Sequence, residues 1–249
     1  MPGSDAAASG VGYHRRVRKL TFTVPLPDRF YAALRSLARR ARRQGPGHDL
    51  DLSGDRDVEW SWVAGSIPQG PGEALDFGPG VSYLGLIAAR RGFSVTAVDL
   101  ELPDPPYRHR GLRFRQGDIL DLPLEDEAFD LILNCSTVEH VGIPGRYGVT
   151  TGRADGDLTA MSRLRASMKP DGVMLLTIPV GRDAVFPPLH RVYGPTRLPR
   201  LLEGFGVMSR EYWTKGEDNR WHVVDEDAAL DAVPDERSYG LGCFVLARQ

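Results

Sequence analysis

Gly78 and Gly80 close an apolar run, Ala74-Leu-Asp-Phe-Gly-Pro-Gly-Val-Ser82, and lay bare backbone N–H groups that a ligand can approach closely. Asp99 follows about 20 residues later, the usual distance to a carboxylate that accepts from ribose hydroxyls. The combination reads as a site for a nucleoside-bearing cofactor. A dinucleotide fingerprint needs glycine or alanine at the sixth position counted from Gly78, and Tyr83 stands there, too large for a close helix–strand contact. NAD and FAD are therefore disfavoured. A second group of chemistry-bearing residues, Glu139, His140 and His190, lies further along the chain. Imidazole titrates near neutral pH and can take a proton from a hydroxyl or an ammonium, so His140 is the first candidate base and His190 the second. The sequence does not choose between the histidines, and the competing reading has Glu139 or His140 capping a helix or orienting a loop.

These residues need elements to hold them at one edge. Ala74–Phe77 is an apolar strand, residues 82–91 a helix stopped by Gly92, and residues 94–98 a second strand. Leu112–Gln116 alternates with period two, Phe129–Cys135 is apolar enough for a strand covered on both faces, and residues 173–178 form a fifth strand. Between the last two, Leu158, Met161, Leu164 and Met168 keep helical spacing, with Pro170-Asp171-Gly172 as the stop. Alternation of this kind predicts an α/β fold with a doubly wound parallel sheet. Residues 207–214 and 242–247 suit an antiparallel edge. Upstream, residues 28–43 form an amphipathic helix with Asp28 as cap, 44–57 a loop, and 58–67 a segment running to a turn at 68–72.

Taken together, the motifs resemble the class I S-adenosylmethionine-dependent methyltransferases, over roughly residues 73–249. Asp76-Phe-Gly78-Pro-Gly80 is similar to the family's glycine-rich first motif, with Ser82 where a third glycine is common. Asp99, followed by Leu100, ends the second strand where the family's acidic residue holds the ribose. Asp118 and Ile119, in Gln116-Gly-Asp-Ile, match the segment that meets the adenine. Asn134, Cys135 and Ser136 fall at the fourth-strand exit, beneath the methionine end of the cofactor. Lys169-Pro-Asp-Gly172 matches the turn into the fifth strand, and Ser136-Thr-Val-Glu139-His140-Val141 is similar to small-molecule members of the class. The resemblance implies a mostly parallel, seven-stranded Rossmann-like sheet with an antiparallel C-terminal edge hairpin. Residues 1–72 would be an N-terminal arm and helical cap, and residues 73–249 the S-adenosylmethionine-binding domain. It also implies methyl transfer to an oxygen or nitrogen of a polar small molecule, such as a sugar or natural-product intermediate. Asp99 and Asp118 suit their roles as charge-assisted acceptors. Asp76 either touches the cofactor or braces the glycine turn. Arg146 and Tyr147, in a Gly-Arg-Tyr-Gly turn, and Tyr193, after the fifth strand, are candidate substrate contacts; surface-loop and packing roles are the alternatives.

Composition narrows the field. A 249-residue chain with 41% hydrophobic residues can bury a large core, and a net charge of -2 gives no global reason to bind nucleic acid or an anionic membrane. Arg35, Arg39, Arg40, Arg42 and Arg43 make the case for a rival, an RNA methyltransferase, against a solvated helix face. A cofactor-binding partner subunit without its own chemistry is a third reading. Cys135 and Cys243 lack metal or disulfide spacing, no metal constellation is evident, and no signal-like or spanning apolar run occurs, so a reduced cytoplasmic setting without a membrane is expected. Lysine appears only at 19, 169 and 215, an arginine bias pointing to a GC-rich bacterial source. An oligomer is compatible with all of this.

Overall fold

The structure is a computed structural model, and residues 55–105 and 107–249 are described. The expected helix at 28–43, its arginine face and the arm before it lie outside the described residues. Asp51–Gln249 makes one compact unit, so residues 55–72 pack with the sheet.

The sheet has eight strands, in the order β3-β2-β1-β4-β5-β10-β8-β9. Its first five strands, β1 (Gly72–Phe77), β2 (Phe93–Asp99), β3 (Leu112–Gln116), β4 (Phe129–Cys135) and β5 (Met168–Val180), pair in parallel. β10 (Gly240–Arg248) runs antiparallel to both β5 and β8 (Phe205–Lys215), and β9 (Trp221–Val224) closes the edge. The expected antiparallel pair is present, with the last strand of the chain on the inside of it. β9 is the strand beyond the expected seven, because the charged segment after Lys215 turns back and pairs residue by residue with Tyr212–Lys215. A separate hairpin, β6 (Ala184–Phe186) and β7 (His190–Val192), follows β5.

Side-chain alternation along the central strands splits the core in two. Leu131, Leu133 and Leu175 face α1 (Arg56–Ser66) and α2 (Leu84–Arg90), meeting Trp60, Val63, Ile67, Leu84 and Ala88. Ile132, Met174 and Leu176 face the other way, onto Ala160, Met161 and Leu164 of α3 (Gly156–Ser167). Trp60, Val63 and Ile67 recur at helical spacing, which is why 56–66 forms a helix once it has a sheet to cover. α3 stops at Ser167, and the Lys169–Gly172 turn is absorbed into β5 as an irregularity against Phe129–Leu131. The short helices α4 (Arg197–Leu201) and α5 (Glu226–Asp231) complete the described fold.

The chain winds outward from β1 to β3 and returns through β4 to β5 on the other side. The order therefore reverses between β1 and β4, and the carboxyl ends of those strands frame the crevice where open α/β sheets bind ligands.

Candidate active site

A cavity of about 370 Å³ opens at that reversal. Its floor is the turn after β1. Gly78 adopts φ +68°, and a Cβ there would lie 2.1 Å from Thr137 Cγ2, so the exits of β1 and β4 touch only because the side chain is missing. Thr137 Oγ1 donates to the Gly78 carbonyl at 3.2 Å and fixes that contact. Gly80, at φ +52°, has nothing within 4 Å of its Cβ position and leaves open space over the turn. The Asp99 carboxylate accepts from Gly80 N at 3.0 Å and from Glu101 N at 3.3 Å, tying the second strand's end to the glycine turn. Asp118 likewise accepts from Leu120 N at 2.8 Å, which orders the turn after β3.

Of the residues expected to bind cofactor, Gly78, Gly80, Asp99, Leu100, Asp118, Ile119 and Ser136 line this one cavity, with His140 and Tyr147 from the expected catalytic and substrate sets. Asp76, Asn134 and Cys135 do not. Asp76 is 3% exposed and sits behind the turn, accepting from the Gly85 backbone; burial, opposed by that bond and reinforced by Asp99, raises its pKa to about 7. A Cβ on Gly85 would come within 2.6 Å of Asp76 Oδ2, so Gly85 supplies the close helix–strand approach that Tyr83, two residues earlier, is too large to make. Tyr83 turns away from the floor and stacks edge-on against Trp60 at 5.4 Å. Asn134 is fully buried within β4, donating to Met161 Sδ at 3.5 Å and accepting from Val138 N at 3.3 Å. The Cys135 thiol lies 3.4 Å from Thr177 Oγ1, and burial pushes its pKa up, which suits an inert side chain.

His140 borders the cavity, and its Nδ1–H donates to the Leu189 carbonyl at 2.6 Å in the tautomer that bond requires. Burial lowers its pKa to about 4, so it stays neutral with Nε2 as an acceptor. Glu139, its neighbour, points into the protein at 2% exposure, with Oε1 3.7 Å from His140 Nε2 and Oε2 without a partner among the described residues. His190 lies behind the cavity wall, its ring 6.5 Å from that of His140. Arg146 is exposed and stacks over Tyr147 at 4.6 Å, at the cavity mouth. Tyr193 is a correction to the expected substrate set: it is fully buried, its hydroxyl donating to Asp157 Oδ2 at 3.1 Å, and serves the core. β7 ends in that core and turns the ring inward.

Several wall residues carried no signal in the sequence. Val149, Thr150, Thr151 and Arg153 come from the loop after Tyr147, held from beneath by Arg191. Its guanidinium, 3% exposed, donates to the carbonyls of Glu139, Val141, Arg153 and Ala154. Glu59 is the other surprise. It reaches from α1 to accept from Ser136 Oγ and, at 3.3 Å, from Thr177 Oγ1; burial, with Asp55 nearby, raises its pKa to about 7. Ser136 itself holds φ +46°, an uncommon conformation for a residue with a side chain, at the end of β4.

The architecture matches solved structures across almost the whole chain. One is the 1,6-didemethyltoxoflavin-N1-methyltransferase of Burkholderia thailandensis, solved with 1,6-didemethyltoxoflavin and S-adenosylhomocysteine. It is 18% identical over 95% of this chain and 99% of that one, with a TM-score of 0.56. The chain has the class I methyltransferase fold. A second similar structure with this fold is the [4+2]-cyclase SpnF, 16% identical over 88% of this chain and 94% of that one, TM-score 0.57. Among curated proteins, the demethylmenaquinone methyltransferase of Roseiflexus sp. (strain RS-1) is 32% identical over 133 residues, 49% of this chain and 55% of the relative. The chain thus spans about half the length of the curated relative it matches. Residues 116–230 also match a family described as "Caenorhabditis protein of unknown function, DUF268". Among the described residues of this methyltransferase fold, no group of three or more His, Cys, Asp or Glu side chains could hold a metal ion, and no helix is long and apolar enough to cross a membrane.

Proposed function

We propose that this chain is an S-adenosylmethionine-dependent methyltransferase acting on an oxygen or nitrogen of a polar small molecule. The observation that carries the reading is the joining of Gly78, Gly80, Asp99, Asp118 and Ser136 around one cavity at the strand-order reversal. The open space above Gly80 is the cradle a close-lying cofactor needs, since a Cβ there meets nothing within 4 Å. Asp99 and Asp118 are carboxylates with acceptor capacity left after their backbone bonds, matching ribose hydroxyls and an adenine amine. Ile119, 3% exposed, offers an apolar surface to an adenine ring. When bound, the sulfonium cofactor supplies an already activated methyl group.

The protein's own work is then positioning, exclusion of water and, where the acceptor needs it, proton removal. Ser136 and His140 lie on the β4 side of the cavity, and Tyr147 with Arg146 stands at its mouth, where a small molecule would enter. His140, neutral with a free Nε2, suits a hydrogen-bond acceptor that orients the acceptor group. Both the 1,6-didemethyltoxoflavin-N1-methyltransferase and the demethylmenaquinone methyltransferase are named for small-molecule methylation, which favours that substrate class over RNA. The cyclase SpnF shows that the same fold serves other chemistry, so binding and transfer need separate tests. Calorimetry on the full chain supplies the first: S-adenosylhomocysteine should bind, and Asp99→Ala should weaken it by about tenfold or more. Equal affinity in wild type and variant would remove the ribose assignment.

A further inference from the structure

Behind Ser136 and His140 lies a buried group of acids that the cofactor reading leaves unused. Glu59 and Asp55 come from α1 and the residue that precedes it, Glu139 from the turn after β4; they are 2%, 8% and 2% exposed. They lie within electrostatic reach of one another, and burial raises the pKa of each. Arg56 and Arg146 lie within electrostatic reach, and the Arg191 guanidinium donates to the Glu139 carbonyl at 3.3 Å while pairing with Asp157; none of the three is ion-paired with Asp55, Glu59 or Glu139. Tyr239 donates to Asp55 Oδ2 at 3.3 Å, and the His190 ring packs edge-on against Tyr239 at 4.9 Å.

Two polar atoms in and beside this group are orphaned. Glu139 Oε2 and His190 Nε2 are both buried and have no hydrogen-bond partner among the described residues, and His190 as a whole is 7% exposed. A buried carboxyl oxygen without a partner is destabilising, more so when charged. Such a cost is retained where a ligand supplies the missing donors. The missing partner must bring N–H or O–H groups and positive charge, because the surroundings already hold three carboxyls. A metal ion does not suit, since no three of these side chains converge to coordinate one. A protonated amine does: it carries donors only, and the mutually packed rings of Phe186, His190 and Tyr239 adjoin Asp55 through the Tyr239 hydroxyl.

We propose that the molecule methylated by this protein carries a cationic amine, which docks at Glu139, in the field of Glu59 and Asp55, beside the cavity. The group touches the cavity through two shared residues: Ser136 lines it and donates to Glu59, and His140 lines it next to Glu139. The word "methylated" rests on the proposed function; binding of a cation at this cluster does not.

The test is calorimetry on the full chain at pH 7, with and without S-adenosylhomocysteine. Two amines, phenethylamine and ethanolamine, are each compared with the neutral analogue, 2-phenylethanol and ethylene glycol. At least one amine should bind about tenfold or more tightly than its alcohol, with protons released as the raised carboxyls ionise. That preference should fall at least about fivefold in Glu139→Gln and in Glu59→Gln, which keep the size of the side chains. Amines no better than alcohols, or an unchanged preference in both variants, overturns the proposal. S-adenosylmethionine is titrated beside S-adenosylhomocysteine, and variants that alter only the preference between these two also overturn it, because the acids would then serve the cofactor's sulfonium. Amine binding without S-adenosylhomocysteine binding would instead sink the cofactor reading and leave the cation site standing.

Discussion

Replacing Asp76 by Asn should change how the protein's stability responds to pH. The side chain is 3% exposed behind the glycine turn, and burial, together with the Asp99 carboxylate, lifts its pKa from the ordinary 3.8 to about 7. The unfolded chain ionises this group first. Unfolding therefore releases a proton between about pH 4 and pH 7, and stability falls as pH rises through that window. Between pH 5 and pH 8 the loss attributable to this one carboxyl is about 3 kcal/mol, taking about 1.4 kcal/mol for each unit of pKa difference. Asn keeps an oxygen for the Gly85 N–H and cannot ionise, so the variant lacks this component. Any constant penalty from its extra N–H groups cancels when each protein is compared with itself. Urea unfolding of both proteins at pH 5, 6, 7 and 8 reads the effect: wild-type stability should decline more steeply, the two curves diverging by roughly 3 kcal/mol by pH 8. Parallel curves would refute the placement of a protonated Asp76 beneath the turn.

Two further outcomes follow from the geometry. Gly78→Ala should destabilise by about 2–4 kcal/mol and Gly80→Ala by about 1–2 kcal/mol in denaturant titrations. Both bear positive φ, and only the first Cβ collides with Thr137. Arg191→Met should cost about 3 kcal/mol, and hydrogen exchange should show residues 139–154 opening first, because that guanidinium holds four of their carbonyls and pairs with Asp157 at 3.7 Å. Uniform exchange across the domain would deny it that positioning role.

The parallel half of the sheet was legible because β1 and β4 are apolar runs and β3 alternates with period two, and β1, β2, β3 and β4 fall within a residue or two of their expected bounds. Glycine spacing and Asp99 located the cavity floor for a physical reason: positive φ and a missing Cβ leave marks in sequence that few other residues can make. Short elements left no such trace. β6 and β7 have three residues each, too few to show a period, and β9 is an edge strand of mixed polarity. Glu59 was invisible for a different reason. Its partner Ser136 lies 77 residues away, and nothing local distinguishes a buried glutamate on α1 from a solvated one. Tyr193 misled because an aromatic residue after a C-terminal strand end can face either the crevice or the core, and the β6–β7 hairpin that decides between them was not foreseen.

The most direct measurement is a crystal structure of the full chain grown with S-adenosylhomocysteine. Density is expected in the cavity between β1 and β4, with the ribose hydroxyls within hydrogen-bond reach of Asp99, the adenine beside Asp118 and Ile119, and the sulfur facing Ser136 and His140. Density bound elsewhere, or a ligand turned so that Asp99 touches no ribose oxygen, would contradict it.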